Sequence, residues 1–352
     1  MSNPAERAVQ RLDDLQQRFP PLALPIGVVR KFADDRTSAW GALMTFYAFL
    51  GMFPLLVIGL TIIGHLAAGD PELEEALLEG ALGQIPIVGG MIEDDVSTLQ
   101  AGGLGLVVGL AGLFWGATGI YNSGQLAMSQ IWNVEGIDRP GLVIRLVRSL
   151  ILFIVFGAGV IGGGWLVQQG FFSGAGALTR TWTFFASLLL GFVIITAIFR
   201  IMTPQAIETR KLLIGAALAA IGWEGLQIVG GFVVAQETDQ VDIYGVFAYV
   251  IALLMWLWLV FRVLLFSAEA AVVIDRDLWP RNIAQPPLND ADKRVLAALA
   301  RNERRRPEQH IDVWFDDSEE DEEEGLPVDR YEDRGEDAHE DSNQDEEVES
   351  DR

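Results

Sequence analysis

An ionisable side chain inside an apolar stretch costs several kcal/mol in hydrocarbon and persists there only for a reason. Glu224 is the clearest such residue in this chain. It lies twelve residues into the apolar stretch 212–235, which puts it near mid-membrane at about 1.5 Å rise per helical residue. Gln227 follows one helical turn later on the same face, and Trp223 is adjacent. A carboxylate at that depth must be protonated, paired or facing water. The first and last are properties of a proton, ion or substrate site; the second belongs to a structural hydrogen bond between packed helices. Arg262 and Glu269 sit seven residues apart in the last apolar stretch and share a helix face. Arg262 is eighteen residues past Tyr244, about 27 Å along a helix. That depth suits either snorkelling to headgroups or an inward pair with Glu224 or Glu269. Gly51 and Pro54 stand inside the first stretch, where proline removes a backbone hydrogen bond and bends a helix. The reading is a plain kink or, alternatively, a discontinuous helix of the kind that lines transporter sites.

These residues are held by elements that the composition makes unmistakable. Of 352 residues, 51% are hydrophobic, yet the net charge is −23. The charge belongs to one end: residues 316–352 carry 20 Asp/Glu against 3 Arg, a net −17, leaving −6 for everything else. The apolar residues gather into six runs at 39–66, 103–121, 149–167, 182–199, 212–235 and 244–274. Each approaches the roughly 20 residues that a spanning helix needs. Lipid leaves backbone groups unsatisfied unless the segment is helical or part of a closed barrel, and the runs are too continuously apolar for barrel strands of about 10 alternating residues. Glycines at 105, 109, 112 and 116 in the second run, and at 162–164 in the third, have the spacing that lets helix backbones approach closely. The aromatic run MWLWLVF at 255–261 reads as lipid-facing packing surface, and Trp182 and Tyr244 as interfacial anchors.

Lys/Arg placement gives the topology. The segments 1–38, 67–102, 122–148, 168–181, 200–211, 236–243 and 274–352 hold six, none, three, one, three, none and eleven. Rich and poor segments alternate without exception, and basic residues collect on the cytoplasmic side. Six spans with both termini inside fit every term. Arg200 reads as one of these anchors. The first 38 residues are polar and basic, so no cleavable signal peptide is expected. The chain then divides into an amphipathic N-terminal segment 1–36, a six-helix transmembrane domain 37–276, a basic juxtamembrane segment 277–315 and a disordered acidic tail 316–352. Within the first segment, residues 5–19 read as an amphipathic helix that Pro20 and Pro21 end. In the third, residues 290–306 read as a basic amphipathic helix, either simply solvated or attracted to anionic lipid. The acidic tail is a solvated tail or, more sharply, a partner that folds back on that helix.

Three stretches give the chain a family look. TSAWGALMTFYAFLGMFPLLVIG at 37–59, FRIMTPQAIETRKLLIGAALAAIGWEGLQIVGGFVVA at 199–235 and YGVFAYVIALLMWLWLVFRVLLFSAEAAVV at 244–273 resemble the YihY/BrkB family of bacterial inner-membrane proteins. SGQLAMSQIWNV at 123–134 also stands in the right position. The resemblance covers roughly 27–276. Gly51 departs from it where Ser is more usual, and the acidic tail lies outside it. It implies a six-helix protein of the bacterial cytoplasmic membrane. One branch of the family is linked to serum resistance and virulence, and another once carried a ribonuclease label now regarded as mistaken. It implies no particular substrate or reaction.

Several functions are argued against by absence. There is no cysteine, which removes thiolate chemistry and disulfides. Three histidines, His65, His310 and His339, make a His-rich metal site untenable. No G-x-S-x-G, H-E-x-x-H or phosphate-loop motif occurs, and the only dense carboxylates are in the tail, where they repel nucleic acid. No enzyme, no cofactor and no nucleic-acid partner are expected. The leading expectation is transport or substrate handling through the bundle, with Glu224, Gln227, Arg262 and Glu269 as its polar residues. The rivals are a non-transporting structural or interaction protein acting through its helical surface and tail and, more remotely, a membrane-embedded enzyme acting on lipid.

Overall fold

The computed structural model describes residues 13, 16–18, 20–66, 103–134, 141–172, 177–204, 207–236, 246–283, 288–306 and 308–315. Among them the chain is α-helical, in eight helices: α1 (Pro20–Asp34), α2 (Thr37–Leu66), α3 (Gly103–Ile131), α4 (Leu142–Phe172), α5 (Ala177–Met202), α6 (Thr209–Gln236), α7 (Val246–Asp275) and α8 (Asp290–Asn302). The expected all-α polytopic membrane fold is what the chain adopts. The acidic tail 316–352 and the segment 67–102 lie outside the described residues.

Among the described residues, five helices are long and apolar enough to cross a membrane: Thr37–Leu55, Val143–Gly163, Thr181–Met202, Thr209–Gly230 and Val250–Asp275. The remaining expected span, 103–121, corresponds to α3, a 29-residue helix whose second half carries Asn122, Ser123, Gln125 and Ser129. The expected polar connection 122–148 is therefore largely helix, with α3 running on to Ile131 and α4 starting at Leu142. Ser123, Gln125 and Ser129 are all inside the bundle, and Ser123 Oγ returns its hydrogen to the carbonyl of Gly119 at 2.7 Å, which satisfies it without a partner helix.

Large apolar side chains line the outside as well as the inside: Val143, Ile161, Phe185, Ile228 and Phe247 are exposed. In water such a surface would collapse; against acyl chains it is the solvated face. Small residues set the inter-helix contacts. A Cβ at Gly116 would lie 2.7 Å from Gly51 Cα, and one at Gly112 would lie 2.9 Å from Pro54 Cγ. Gly119 leaves room for the Tyr47 ring. Gly51 and Pro54 thus form the seam between α2 and α3, and α2 is assigned as one helix across both. On the other side, Gly159 and Gly162 of α4 receive Ile194 and Leu190 of α5.

Pro20 and Pro21 open α1; most of the expected amphipathic helix 5–19 lies outside the described residues, of which 13 and 16–18 are helical. Proline's fixed φ and missing N–H suit a helix's first turn. Arg36, with φ of 52°, terminates α1 in the left-handed region and turns the chain into α2. At the same end of the bundle α8 docks as a cap. Its start is held by a capping box in which the Asn289 side chain accepts from Asp292 N at 2.8 Å.

Candidate functional site

Helices α2 to α7 line a partly open cavity of about 300 Å³. Each contributes wall: Met52 from α2, Leu113 from α3, Phe156 from α4, Ile194 from α5, Trp223 from α6 and Trp256 from α7. Trp256 is buried while Met255 is exposed, so the aromatic run of α7 serves both packing and the lipid-facing surface. Among the described residues of the lining, Ser187 carries the one hydroxyl. It donates to Glu224 Oε1 at 2.8 Å, joining α5 to α6 and linking the mid-helix carboxylate to the cavity edge. Gln227 is half-buried one turn along. The cavity's volume is at the low end of small-molecule pockets, about 300–1,000 Å³, and its walls suit an apolar chain.

The structure does not bring the four polar residues singled out by sequence into one site. Arg262 points outward, exposed, with its guanidinium 4.8 Å from the Trp258 ring and 5.4 Å from the Phe32 ring. It makes cation–π contacts there instead of reaching Glu224 or Glu269. Glu269 belongs to a separate buried cluster. Its Oε2 is 3.0 Å from Lys31 Nζ, and its Oε1 accepts from Thr37 Oγ1. Lys31 also bonds Asp35 and donates to the Ile131 carbonyl at 2.8 Å. The side chains of Lys31, Asp35 and Glu269 are fully buried.

This cluster joins α1, the start of α2, the end of α3 and α7. It stands one turn beyond Leu265 and Met128, which line the cavity. Two carboxylates face one ammonium, so the site holds a surplus negative charge unless it takes up a proton. Burial, reinforced by the Glu269 charge and opposed by Lys31, pushes the Asp35 carboxyl up to about 7. Burial works against the Lys31 charge, but attraction to Glu269 and then Asp35 outweighs it and holds the ammonium above its usual 10.5. Sequence reasoning missed Lys31 and Asp35, which it placed in the amphipathic N-terminal segment 1–36. The available signal was their i,i+4 spacing on a helix whose neighbouring Val28 and Phe32 are apolar.

A second buried ion-pair network fixes the cap. Arg281 is 2.8 Å from Asp34 and 2.7 Å from Asp292. Gln16 donates to the Arg281 carbonyl at 2.6 Å, and Asp13 accepts from Ile283 N at 3.0 Å. No group of three metal-ligating side chains occurs among the described residues.

An all-helical bundle with a lipid-facing apolar exterior and an internal cavity defines a polytopic membrane protein. The family model for virulence factor BrkB matches residues 28–290, and the chain belongs to that family. Among curated relatives it is 23% identical over 266 residues to a UPF0761 membrane protein of Alcanivorax borkumensis, covering 72% of this chain and 61% of that one. It is 26% identical over 293 residues to a UPF0761 membrane protein of Alkalilimnicola ehrlichii, covering 80% and 65%. It is 23% identical over 234 residues to the inner membrane protein YhjD of Escherichia coli, covering 60% and 69%. The match thus spans under two thirds of the length of the UPF0761 relatives named here. No solved structure matches.

Proposed function

We propose that the chain is a six-span protein of the bacterial cytoplasmic membrane, with both termini inside, that takes an apolar or amphipathic molecule into its bundle and handles or transports it without catalysing a reaction. The alternation of basic segments supports the topology. The observation that carries the function is the apolar cavity walled by six helices. A non-transporting structural role is the second reading. It is favoured by the direct Ser187–Glu224 hydrogen bond, which ties two helices as a structural contact would.

Gly191 separates the two. It lines the cavity, and a Cβ there meets nothing within 4 Å. Gly191→Phe therefore fills the cavity while leaving the helix contacts in place. If the protein handles an apolar molecule, this change weakens binding of a fluorescent fatty-acyl probe by roughly tenfold or more, about 1.4 kcal/mol per tenfold, with the melting temperature in detergent unchanged. Equal probe binding by both proteins would leave the structural reading.

A further inference from the structure

The cavity-facing side of α4 continues past the cavity. Arg145, Arg148, Leu152, Phe156, Gly159 and Gly163 are spaced three, four, four, three and four residues apart, which is one helix face. The last four line the cavity. The first two are arginines inside the apolar segment Val143–Gly163. Across from them on α3 stands Tyr121, fully buried, its hydroxyl under the hydrogen-bonding and electrostatic influence of Arg148 and the electrostatic influence of Arg145. Tyr121 is also one residue from Ile120, which lines the cavity.

The hydrogen bonding here is incomplete in one sense only. The Tyr121 hydroxyl and Arg145 Nε are both buried without a well-formed partner. Nε–H is purely a donor, and the phenol can donate. Among the described residues, what the pair lacks is an acceptor, and an unmatched buried donor costs about 1–3 kcal/mol. Elsewhere this protein matches its buried cations with carboxylates, as at Lys31 and Arg281. Among the described residues no carboxylate pairs with Arg145 or Arg148. An arginine that served only as a topology anchor would turn its head to the outer lipid surface, whereas Arg145 Nε is buried.

We infer that Arg145, Arg148 and Tyr121 form a headgroup site for a phosphate-bearing amphiphile whose apolar chain lies in the adjoining cavity. This rests on the cavity reading above and names its substrate class. Two planar guanidinium forks and a phenol present more donors than a single carboxylate has oxygens to accept. A phosphate group, with its several oxygens, matches them bidentately. The apolar wall begins one turn later at Leu152, so charge and chain are served in the order in which an amphiphile carries them.

The test uses the full-length protein in detergent and native mass spectrometry with three probes: dioleoyl phosphatidylglycerol, dioleoylglycerol and inorganic phosphate. Wild type should hold phosphatidylglycerol over dioleoylglycerol by about tenfold or more, the scale of a desolvated charge contact. Arg145→Gln with Arg148→Gln should abolish that preference and leave dioleoylglycerol binding intact. Arg148→Lys, which keeps the charge, should retain most of the preference. The inference is overturned if wild type holds the two lipids equally, or if the double variant keeps the preference. Because the first comparison is made on wild type, it holds even if the double variant does not fold. Binding of inorganic phosphate by the same arginines with neither lipid bound would overturn the amphiphile and leave a phosphate site. Binding of dioleoylglycerol without preference would overturn the headgroup site while the cavity reading stood. Wild type binding neither lipid would remove both.

Discussion

Asp35 has one carboxylate oxygen bonded to Lys31 and the other buried with no partner. The groups facing it are Lys31 on α1, Glu269 on α7 and Thr37 at the start of α2, with the Ile131 carbonyl completing the Lys31 shell. Its carboxyl is raised from 3.8 to about 7, so between those values the folded protein binds a proton that the opened protein does not. By linkage, stability then falls as pH rises through that window and levels off above it. Hydrogen exchange of the α1–α2 junction should accordingly be slowest near pH 4, quicken up to about pH 7 and level off above it, after correction for intrinsic exchange. Asp35→Asn should flatten this trend, because the amide stays neutral throughout. A slope of equal size in the variant would show that another group titrates.

Among the elements, the α2–α3 contact is where sequence and structure meet most directly. Glycines at four-residue spacing in α3 announced a close helix contact, and Gly112 and Gly116 make it. What spacing leaves open is the partner, because a small-residue face fits any helix that offers a complementary one. Here the complement is Gly51 with Pro54, two residues first legible as a bend. Gly119 carried no signal of its own; its role appears only when Tyr47 occupies the space above it. The cavity is illegible for a related reason: it is the volume left over when six helices pack, and no single segment encodes it. Gly116→Ala tests the seam. The new Cβ would press on backbone at Gly51, which cannot rotate away, and overpacking of that kind costs about 1–3 kcal/mol. Gly157→Ala has nothing within 4 Å and should be neutral in the same detergent unfolding assay. Equal effects of the two changes would mean that the seam is looser than the structure has it.

At the scale of the molecule, the C-terminal helix changes meaning. Read alone, residues 290–306 are a basic amphipathic helix free to meet lipid. In the fold, α8 spends its apolar face and part of its charge on the protein. Ala291, Val295 and Ala297 are buried, and Arg294 donates to the carbonyl of Asp277 at 2.9 Å. Asn302 reaches Gln130 at the end of α3, at 3.0 Å. Asp292 is the residue on which this docking turns. It pairs with buried Arg281, accepts from Asn282 N and closes the α8 capping box. Asp292→Ala leaves Arg281 with Asp34 alone, and breaking a buried pair from one side costs about 3–5 kcal/mol. None of the Asp292 partners lies in α2 to α7, so the loss should be local. Hydrogen exchange should show α8 losing protection while α2 to α7 keep theirs. Vesicles containing phosphatidylglycerol should then bind the released helix more strongly than they bind wild type, since Lys293, Arg294 and Arg301 become available together. Loss of protection across the whole bundle would instead make the cap part of one cooperative unit with the membrane helices. Release without any gain in vesicle binding would mean that the basic residues of α8 serve the fold and not the lipid surface.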